Sequence, residues 1–268
     1  MEDSNHFTVG KLSDELYVIQ ENISYVHPIY TNDPLNLYLL LGEHSSLLID
    51  TGCGLAPLKP IVEGIVKERD LIVINSHAHW DHILGNEEFE EVYIHENEAE
   101  IVSNPYNLAY HRDIFGKRYG NKNLVIPPCN TIKTIKDGDI FDLGGKDVEV
   151  IHAPGHSPGS VCLLTSENKL FTGDVAYYGD QFLPRKEFIP RVLETLSNLI
   201  SLCKKNNVNT LYPSHQKTPC GMNLLKELYE GVSNIDQLWH TRKLHSHFYS
   251  WIINDPKHKR FRYLISRL

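Results

Sequence analysis

A short polar run follows the apolar segment 71–74 and is rich in metal-binding side chains: Ser76-His77-Ala78-His79-Trp80-Asp81-His82. Its pattern is H-x-H-x-D-H. Side chains alternate along an extended chain, so we expect His77, His79 and Asp81 on one side. The adjacent His82 can then turn toward a second, neighbouring point. A lone histidine is usually a packing or surface residue, whereas four donors at this spacing predict two neighbouring metal ions.

Three more candidate ligands follow predicted strands in the second half of the chain. His156 lies in the glycine- and proline-rich loop 152–160, Asp174 follows the strand 169–172, and His215 follows the strand 210–212. Layered α/β proteins place their sites where strands end. We therefore expect these three residues to meet the H-x-H-x-D-H run at one edge of the fold.

The elements that must position these residues are short strands mixed with amphipathic helices. Apolar runs of strand length occur at residues 16–19, 37–41, 46–49, 71–74, 148–151, 160–164, 169–172 and 210–212. Helical spacing of apolar residues occurs at 58–67 and 187–205. Continuous apolar strands alternating with such helices predict an α/β layered fold.

Composition and charge narrow the class of protein. The chain has 268 residues with 41% hydrophobic and 22% charged residues, as in globular domains. A net charge of −8 argues against a nucleic-acid partner. Five scattered cysteines without a C-x-x-C pair predict reduced thiols. The polar start 1–5 and the absence of a long apolar run predict a cytoplasmic protein with no leader and no membrane span.

Two irregular segments, 24–34 and 104–129, are rich in aromatic residues. Such insertions in an α/β enzyme line or cover a site, or they form separate packing clusters. The sequence does not decide between these interpretations.

The full set of motifs resembles the metallo-β-lactamase superfamily. The resemblance covers about 16–215 and includes the turn Asp50-Thr51-Gly52. It implies a single domain over 1–268, a four-layer αβ/βα sandwich, with a helical and basic extension at about 221–268. It also implies ligand sets: His77, His79 and His156 for one metal, Asp81, His82 and His215 for the other, and Asp174 as the bridge.

Asp50 has two interpretations: either it orients a ligand histidine, or it is simply an aspartate of the turn. For the metals, imidazole with carboxylate donors favours two Zn²⁺, while iron and manganese stay open. Related di-iron redox members carry glutamate where this chain has His79, which favours zinc and hydrolysis.

The expected reaction is attack on a carbonyl by a hydroxide that two metals share, with Asp81 handling a proton. Asp174 stands where one major class of zinc β-lactamases has cysteine. We therefore expect hydrolysis of a thioester, ester or lactone, with an acyl-thioesterase favoured. The alternatives are a β-lactam hydrolase and a mononuclear-iron persulfide dioxygenase. A non-catalytic binding module is disfavoured by the complete ligand set.

Two features bear on the substrate, which we expect to be a small acyl compound such as a coenzyme A or glutathione thioester. Tyr177, three residues after Asp174, is either a donor to the developing oxyanion or a packed aromatic, and catalysis is favoured. The basic segment 257–262 is either a solvated tail, which is favoured, or a binder of a thiol carrier's acidic groups. The sequence predicts no oligomeric state.

Overall fold

Strands form where short apolar or β-branched runs end in turn residues. The computed structural model describes residues 6–268. The segment 1–5, on which the expectation of no leader rests in part, lies outside the described residues. In the first half the strands are β1 (Thr8–Lys11), β2 (Leu16–Glu21), β3 (Leu35–Leu41), β4 (Ser45–Ile49), β5 (Asp70–Ile74), β6 (Glu91–His95), β7 (Tyr106–Asn107), β8 (Val125–Ile126) and β9 (Thr131–Ile135).

The second half adds longer helices and further strands. The strands are β10 (Ile140–Asp142), β11 (Asp147–His152), β12 (Val161–Thr165), β13 (Lys169–Gly173), β14 (Gly179–Leu183), β15 (Thr210–Pro213), β16 (Cys220–Gly221), β17 (Lys243–Leu244), β18 (Ser250–Asn254) and β19 (Phe261–Ser266). Over the described chain the helices are α1 (Lys59–Val66), α2 (Trp80–Ile83), α3 (Ala99–Val102), α4 (Arg112–Tyr119), α5 (Ile189–Lys205), α6 (Asn223–Ser233) and α7 (Ile235–Leu238).

The strands assemble into two large sheets and two smaller ones. The first large sheet has the order β1-β2-β3-β4-β5-β6-β9, and the second has the order β10-β11-β12-β13-β15-β16. In the first sheet β4, β5, β6 and β9 run parallel to one another. In the second, only β13 and β15 pair in parallel. Strands β14, β19, β18 and β17 form a third sheet, and β7 pairs with β8.

The two large sheets pack face to face. Their shared core contains Tyr38 and Leu40 from β3 together with Val150 and Leu163 from the second sheet. Since side chains alternate along a strand, the other residues of β3 face the opposite way and pack with α1 in a second core. Helices α5 and α6 cover the outer face of the second sheet. The resulting order of layers is helix, sheet, sheet, helix, so the predicted αβ/βα sandwich is confirmed.

The predicted strands and helices match the structure to within a few residues at their ends. The first sheet has one strand more than predicted at its start, since β1 precedes Leu16 in the chain and pairs with β2. The extension predicted at about 221–268 is helical through α7 and the 3-10 turn Trp239–Thr241, and its remainder holds β17 and the hairpin β18–β19 of the third sheet. Its strand β19 pairs in parallel with β14, a contact with a distant segment that local periodicity does not encode. The division of the chain into one domain stays a prediction.

The basic segment 257–262 belongs to this hairpin, so it is not a free tail, although the side chains of Arg260 and Arg262 stay 52% and 38% exposed. Arg260 pairs with Glu227 and lies 4.1 Å from the centre of the Tyr178 ring. Arg262 pairs with the buried carboxylate of Asp180. Both guanidinium groups therefore have carboxylate partners, and that of Arg262 is buried.

No helix in residues 6–268 combines the length and the apolar character that crossing a bilayer requires.

The docking of α6 on β19 gives a stability test. An added Cβ at Gly231 would lie 1.8 Å from the hydroxyl oxygen of Tyr263, which is fully buried. We expect Gly231→Ala to lower the free energy of unfolding by about 1–3 kcal/mol, since a packed aromatic ring must move. Gly64→Ala in α1 is the matched control, because nothing lies within 4 Å of its added Cβ. Gly64→Ala should leave the free energy of unfolding unchanged or raise it by up to about 1 kcal/mol. Urea denaturation measures both, and equal effects would contradict this account of the packing.

Candidate metal centre

The candidate site lies where β5 ends, at the edge that the two large sheets share. Strand β5 stops at Ile74, and the loop that follows carries His77 and His79. The chain then turns into the short helix α2, so Asp81 and His82 lie on a helical turn. The expectation that Asp81 shares one side of an extended segment with His77 and His79 is therefore wrong. The helical turn directs Asp81 and His82 toward a different set of partners.

One set of imidazoles, the first donor group, consists of His77, His79 and His156. His156 Nε2 lies 3.2 Å from His77 Nε2 and 2.8 Å from His79 Nδ1. A tetrahedral zinc ion with bonds of about 2.0–2.1 Å holds its ligands about 3.3 Å apart. The three nitrogens are therefore spaced as the ligands of one ion.

The second donor group consists of Asp81, His82 and His215. Asp81 Oδ2 lies 3.5 Å from His215 Nε2 and 3.7 Å from His82 Nε2. The carboxylate of Asp174 faces both groups, since its Oδ1 is 3.2 Å from His215 Nε2 and its Oδ2 is 3.6 Å from His156 Nε2. The geometry brings together all seven residues predicted from the sequence as ligands.

Hydrogen bonds orient these rings from behind. The Nδ1–H of His156 donates to the carbonyl of Phe182 over 2.9 Å. The Nδ1–H of His215 donates to the carbonyl of Asn32 over 3.1 Å. In each ring this hydrogen bond places the proton on Nδ1 and leaves the lone pair of Nε2, which faces the cluster, free to bind a metal ion.

Asp50 orients two more candidate ligands. Its carboxylate accepts hydrogen bonds from His82 Nδ1–H at 2.8 Å, from the Ser76 hydroxyl at 2.8 Å and from the Ser76 backbone N–H at 2.7 Å. Because the Ser76 hydroxyl donates to Asp50, it accepts from Nδ1 of His77 at 3.1 Å. Asp50 also has φ +65°, which aspartate tolerates in turns. Both interpretations of Asp50 therefore hold at once.

The electrostatics of the two donor groups differ. Burial lowers the pKa of His79 and of His156 to about 4, and burial with the neighbouring imidazoles holds that of His77 well below its ordinary value. These rings are neutral at neutral pH, the form that binds metal ions. Burial also lowers the pKa of His82 and His215, but nearby carboxylates outweigh it and raise both. The second donor group therefore attracts positive charge.

Two atoms of the cluster show that the residues present fit metal ions. His82 Nε2 and Asp174 Oδ1 are buried and find no hydrogen-bond partner among residues 6–268. A buried imidazole nitrogen and a buried carboxylate oxygen without partners are costly unless a cation binds them. Three overlapping triads of the cluster have donor atoms within 4.8 Å of one another. The donor set is therefore that of a metal site.

Glu98 is a positioning residue that the sequence does not predict. Glu98 is buried, and its two carboxylate oxygens accept the backbone N–H groups of Ala78 at 2.6 Å and Gly159 at 2.9 Å. It thereby ties the loop of His77 and His79 to the loop of His156. Its partners lie 20 and 61 residues away along the chain, so no local pattern points to it.

A cavity of about 670 Å³ opens onto the cluster. Asp81, Asp174 and His215 line its polar part. Its remaining walls come largely from the two aromatic-rich segments, with Tyr30 from 24–34 and Phe115 from 104–129. Both segments also pack into the core that β3 shares with α1. They therefore line the site, and their packing belongs to this core and not to separate clusters.

Tyr177 lines the cavity, but its hydroxyl is engaged by the backbone. The ring lies 5.0 Å from that of His215, and the hydroxyl donates to the carbonyl of Asp180. Burial raises the pKa of this hydroxyl well above its ordinary value, so it keeps its proton. A phenol has one proton to donate, and here it is engaged. The oxyanion role stays a prediction, and this hydrogen bond argues against it.

A family model decides the relationship of this chain to known proteins. The model described as "Metallo-beta-lactamase superfamily" matches residues 30–215. The chain belongs to the metallo-beta-lactamase superfamily. The matched range contains all seven candidate ligands, and membership implies that the chain binds a divalent metal. The predictions of the family, of its fold and of a hydrolase within it are confirmed.

Curated relatives and solved structures agree with this assignment. The chain is 31% identical over 199 residues to "Acyl-coenzyme A thioesterase MBLAC2" of Gallus gallus, covering 67% of this chain and 72% of that protein. It is 29% identical over 229 residues to the protein of that name in Homo sapiens, covering 77% and 80%.

Solved metallo-beta-lactamase structures share the fold. A metallo-beta-lactamase from Pontibacter korlensis superposes with a TM-score of 0.62 at 17% identity, covering 85% of this chain and 99% of that one. A metallo-beta-lactamase family protein from Thermus thermophilus superposes with a TM-score of 0.61 at 21% identity, covering 86% of this chain and 84% of that one. At these identities the likeness concerns the fold alone.

The Asp50 interactions predict a selective loss of metal affinity. Asp50→Asn keeps the size of the side chain and tolerates the positive φ, but it removes the charged acceptor of His82 and Ser76. We expect metal affinity to fall about 10- to 100-fold with the fold retained. Competition with a chelator measures the affinity. Asp14→Asn, at a carboxylate that is 97% exposed, is the control and should change nothing. Equal affinity of the two variants would show that Asp50 does not orient the site.

The hydrogen bond of Tyr177 predicts the outcome of removing its hydroxyl. We expect Tyr177→Phe to lower kcat less than about tenfold, because the proton already serves Asp180. A donor to the developing oxyanion would instead cost about 10²–10³ in kcat. Steady-state kinetics separates these values, and the larger loss would restore the catalytic role.

Proposed function

We propose that this protein hydrolyses acyl thioesters at a dinuclear zinc centre. The observation that carries the proposal is the pair of donor groups bridged by Asp174, which opens onto a cavity with aromatic walls. The names of the relatives from Gallus gallus and Homo sapiens support an acyl-coenzyme A substrate. Esters and lactones are hydrolysed by the same attack on a carbonyl carbon, so they are tested as alternative substrates.

The ligands divide between two ions. His77, His79 and His156 would hold the first, and Asp81, His82 and His215 would hold the second, while the carboxylate of Asp174 faces both groups. Mixed imidazole and carboxylate donors at tetrahedral spacing favour zinc. When bound, the two ions supply a nucleophile from water at neutral pH and polarise the substrate carbonyl.

The residues of the chain then move the proton and hold the substrate. Asp81 lines the cavity, and its side chain is 12% exposed, so its carboxylate accepts the proton that water loses. The carbonyl carbon gains a bond to oxygen, and its bond to sulfur breaks. The proton passes to the departing thiolate, so the products are a carboxylic acid and a thiol.

The free thiols of the chain support a reducing compartment. The five cysteines are all free and buried within residues 6–268. Buried thiols that form no disulfide are typical of proteins kept under reducing conditions. We propose a cytoplasmic location on this basis.

The function is tested with a substrate panel and ligand variants. We expect the zinc-loaded protein to release thiol from acyl-coenzyme A with a higher kcat/KM than it shows for lactones or β-lactams. Asp81→Ala and His156→Ala should reduce turnover to background, because each removes a donor that no neighbour replaces. His240→Ala, at an exposed histidine outside the cluster, is the control and should retain wild-type turnover.

Three results would contradict the proposal. A higher kcat/KM for β-lactams would assign the alternative hydrolytic function. Iron in the active sample together with oxygen consumption on a persulfide would assign the redox alternative. Wild-type turnover in His156→Ala would refute the metal site itself.

A further inference from the structure

The cavity at the metal centre has a second lobe. The first lobe, of about 670 Å³, contains the carboxylates and His215, and the second lobe has about 410 Å³. His79 and His156 line both lobes, as does the ring of Phe248. The reacting atoms of a substrate held at the metals therefore lie where the two lobes meet.

Both lobes are lined largely by apolar side chains. Trp80 and Phe115 form the wall of the first lobe on the side away from the candidate ligands, so an apolar chain fits there. The second lobe is lined by apolar residues such as Leu264, by the loop before β18 and by the facing ends of β18 and β19. Of its two serines, Ser266 already donates its hydroxyl to a backbone carbonyl, so the hydroxyl of Ser250 is the feature that sets the second lobe apart.

The loop before β18 is held in place over the metal centre. Nδ1 of His245 accepts the backbone N–H groups of His247 at 3.2 Å and Phe248 at 3.0 Å, which fixes the turn of this loop. The ring of Phe248 packs 5.7 Å from that of Tyr30 and 5.2 Å from that of Phe182. The carboxy-terminal hairpin is therefore a wall of the active site.

Ser250 gives a sign that the second lobe takes a polar ligand. The residue is 5% exposed, and its Oγ is buried without a hydrogen-bond partner within the described part of the chain. An unpartnered buried hydroxyl carries a desolvation cost that a bound amide would offset. Ser250 thus offers a donor and an acceptor at the wall of the lobe.

We infer that the two lobes bind the two arms of a thioester on either side of the metals. The acyl chain lies in the first lobe, and the thiol carrier enters the second lobe through an amide-bearing arm that Ser250 recognises. The inference rests on the proposed thioesterase function and extends it to the carrier. Ser250 recognises the amide groups of the thiol carrier that lie nearest to the sulfur. The basic segment 257–262 lies at the opposite end of the hairpin from Ser250, roughly 14 Å away by strand rise.

The test uses the zinc-loaded enzyme and thioesters that share one acyl group but differ in the thiol. The thiols are coenzyme A, N-acetylcysteamine with a single amide, and ethanethiol with none. For Ser250→Ala we expect the ratio of KM for the coenzyme A thioester to KM for the ethanethiol ester to rise about 3- to 10-fold, the effect of one lost hydrogen bond. The variant should fold, because it deletes an unpartnered hydroxyl.

Ser46→Ala is the matched control. Ser46 in β4 is also fully buried with an unpartnered hydroxyl among the described residues, and it lines neither lobe. Its KM ratio should equal that of the wild type. Equal ratios in Ser250→Ala and Ser46→Ala would overturn the assignment of the second lobe.

The first lobe is tested at Ile101, which lines it and is 48% exposed. Ile101→Trp narrows this lobe, so kcat/KM for longer acyl chains should fall relative to acetyl by about fourfold for each methylene displaced. An unchanged chain-length profile would overturn the assignment of the acyl arm. If the wild-type enzyme cleaves no thioester at all, the proposed function itself fails, and that result is distinct from unchanged ratios in an active enzyme.

Discussion

The carboxylate of Asp50 is the interaction on which the geometry of the metal centre depends. It is buried at the end of β4, and it accepts two hydrogen bonds from Ser76 in the loop after β5 and one from His82 in α2. Through Ser76 and His82 it sets the direction of imidazoles in both donor groups. These three hydrogen bonds satisfy a carboxylate that is buried next to the proposed cations. The parallel pairing of β4 with β5 brings the two strand ends together and so makes the contact available.

The remaining ligands reach the cluster because the second sheet faces the first. Asp174 follows β13 and His215 follows β15, and these two strands pair in parallel, so their ends lie at one edge. Two further sets of hydrogen bonds hold this arrangement in place. Glu98 joins the two loops that carry the first donor group, and the Asn32 carbonyl receives the Nδ1–H of His215. Asn32 in turn pairs with the backbone of Asp180, whose carboxylate binds Arg262 of the hairpin. The carboxy-terminal extension thus supports a ligand as well as forming a wall of the cavity.

The sequence predicted those parts of the site that depend on residue type and local spacing. All seven candidate ligands meet in the structure, because each lies in a segment that follows a strand of a layered fold whose strand ends share an edge. The prediction of the geometry within H-x-H-x-D-H was wrong at Asp81, since alternation assumed an extended chain where α2 begins. Glu98 and the hairpin β18–β19 were not predicted, because their contacts join residues far apart in the chain. Tyr177 matched a family pattern, yet the direction of its hydroxyl depends on Asp180, which no motif specifies.

The most direct test of the account is a zinc titration of the metal-free protein in which hydrolysis of acyl-coenzyme A is followed at each addition. Two bridged donor groups predict that turnover rises until two equivalents of zinc are bound per chain and then stays constant. Turnover without added metal, or a plateau at one equivalent, would contradict the proposed dinuclear centre.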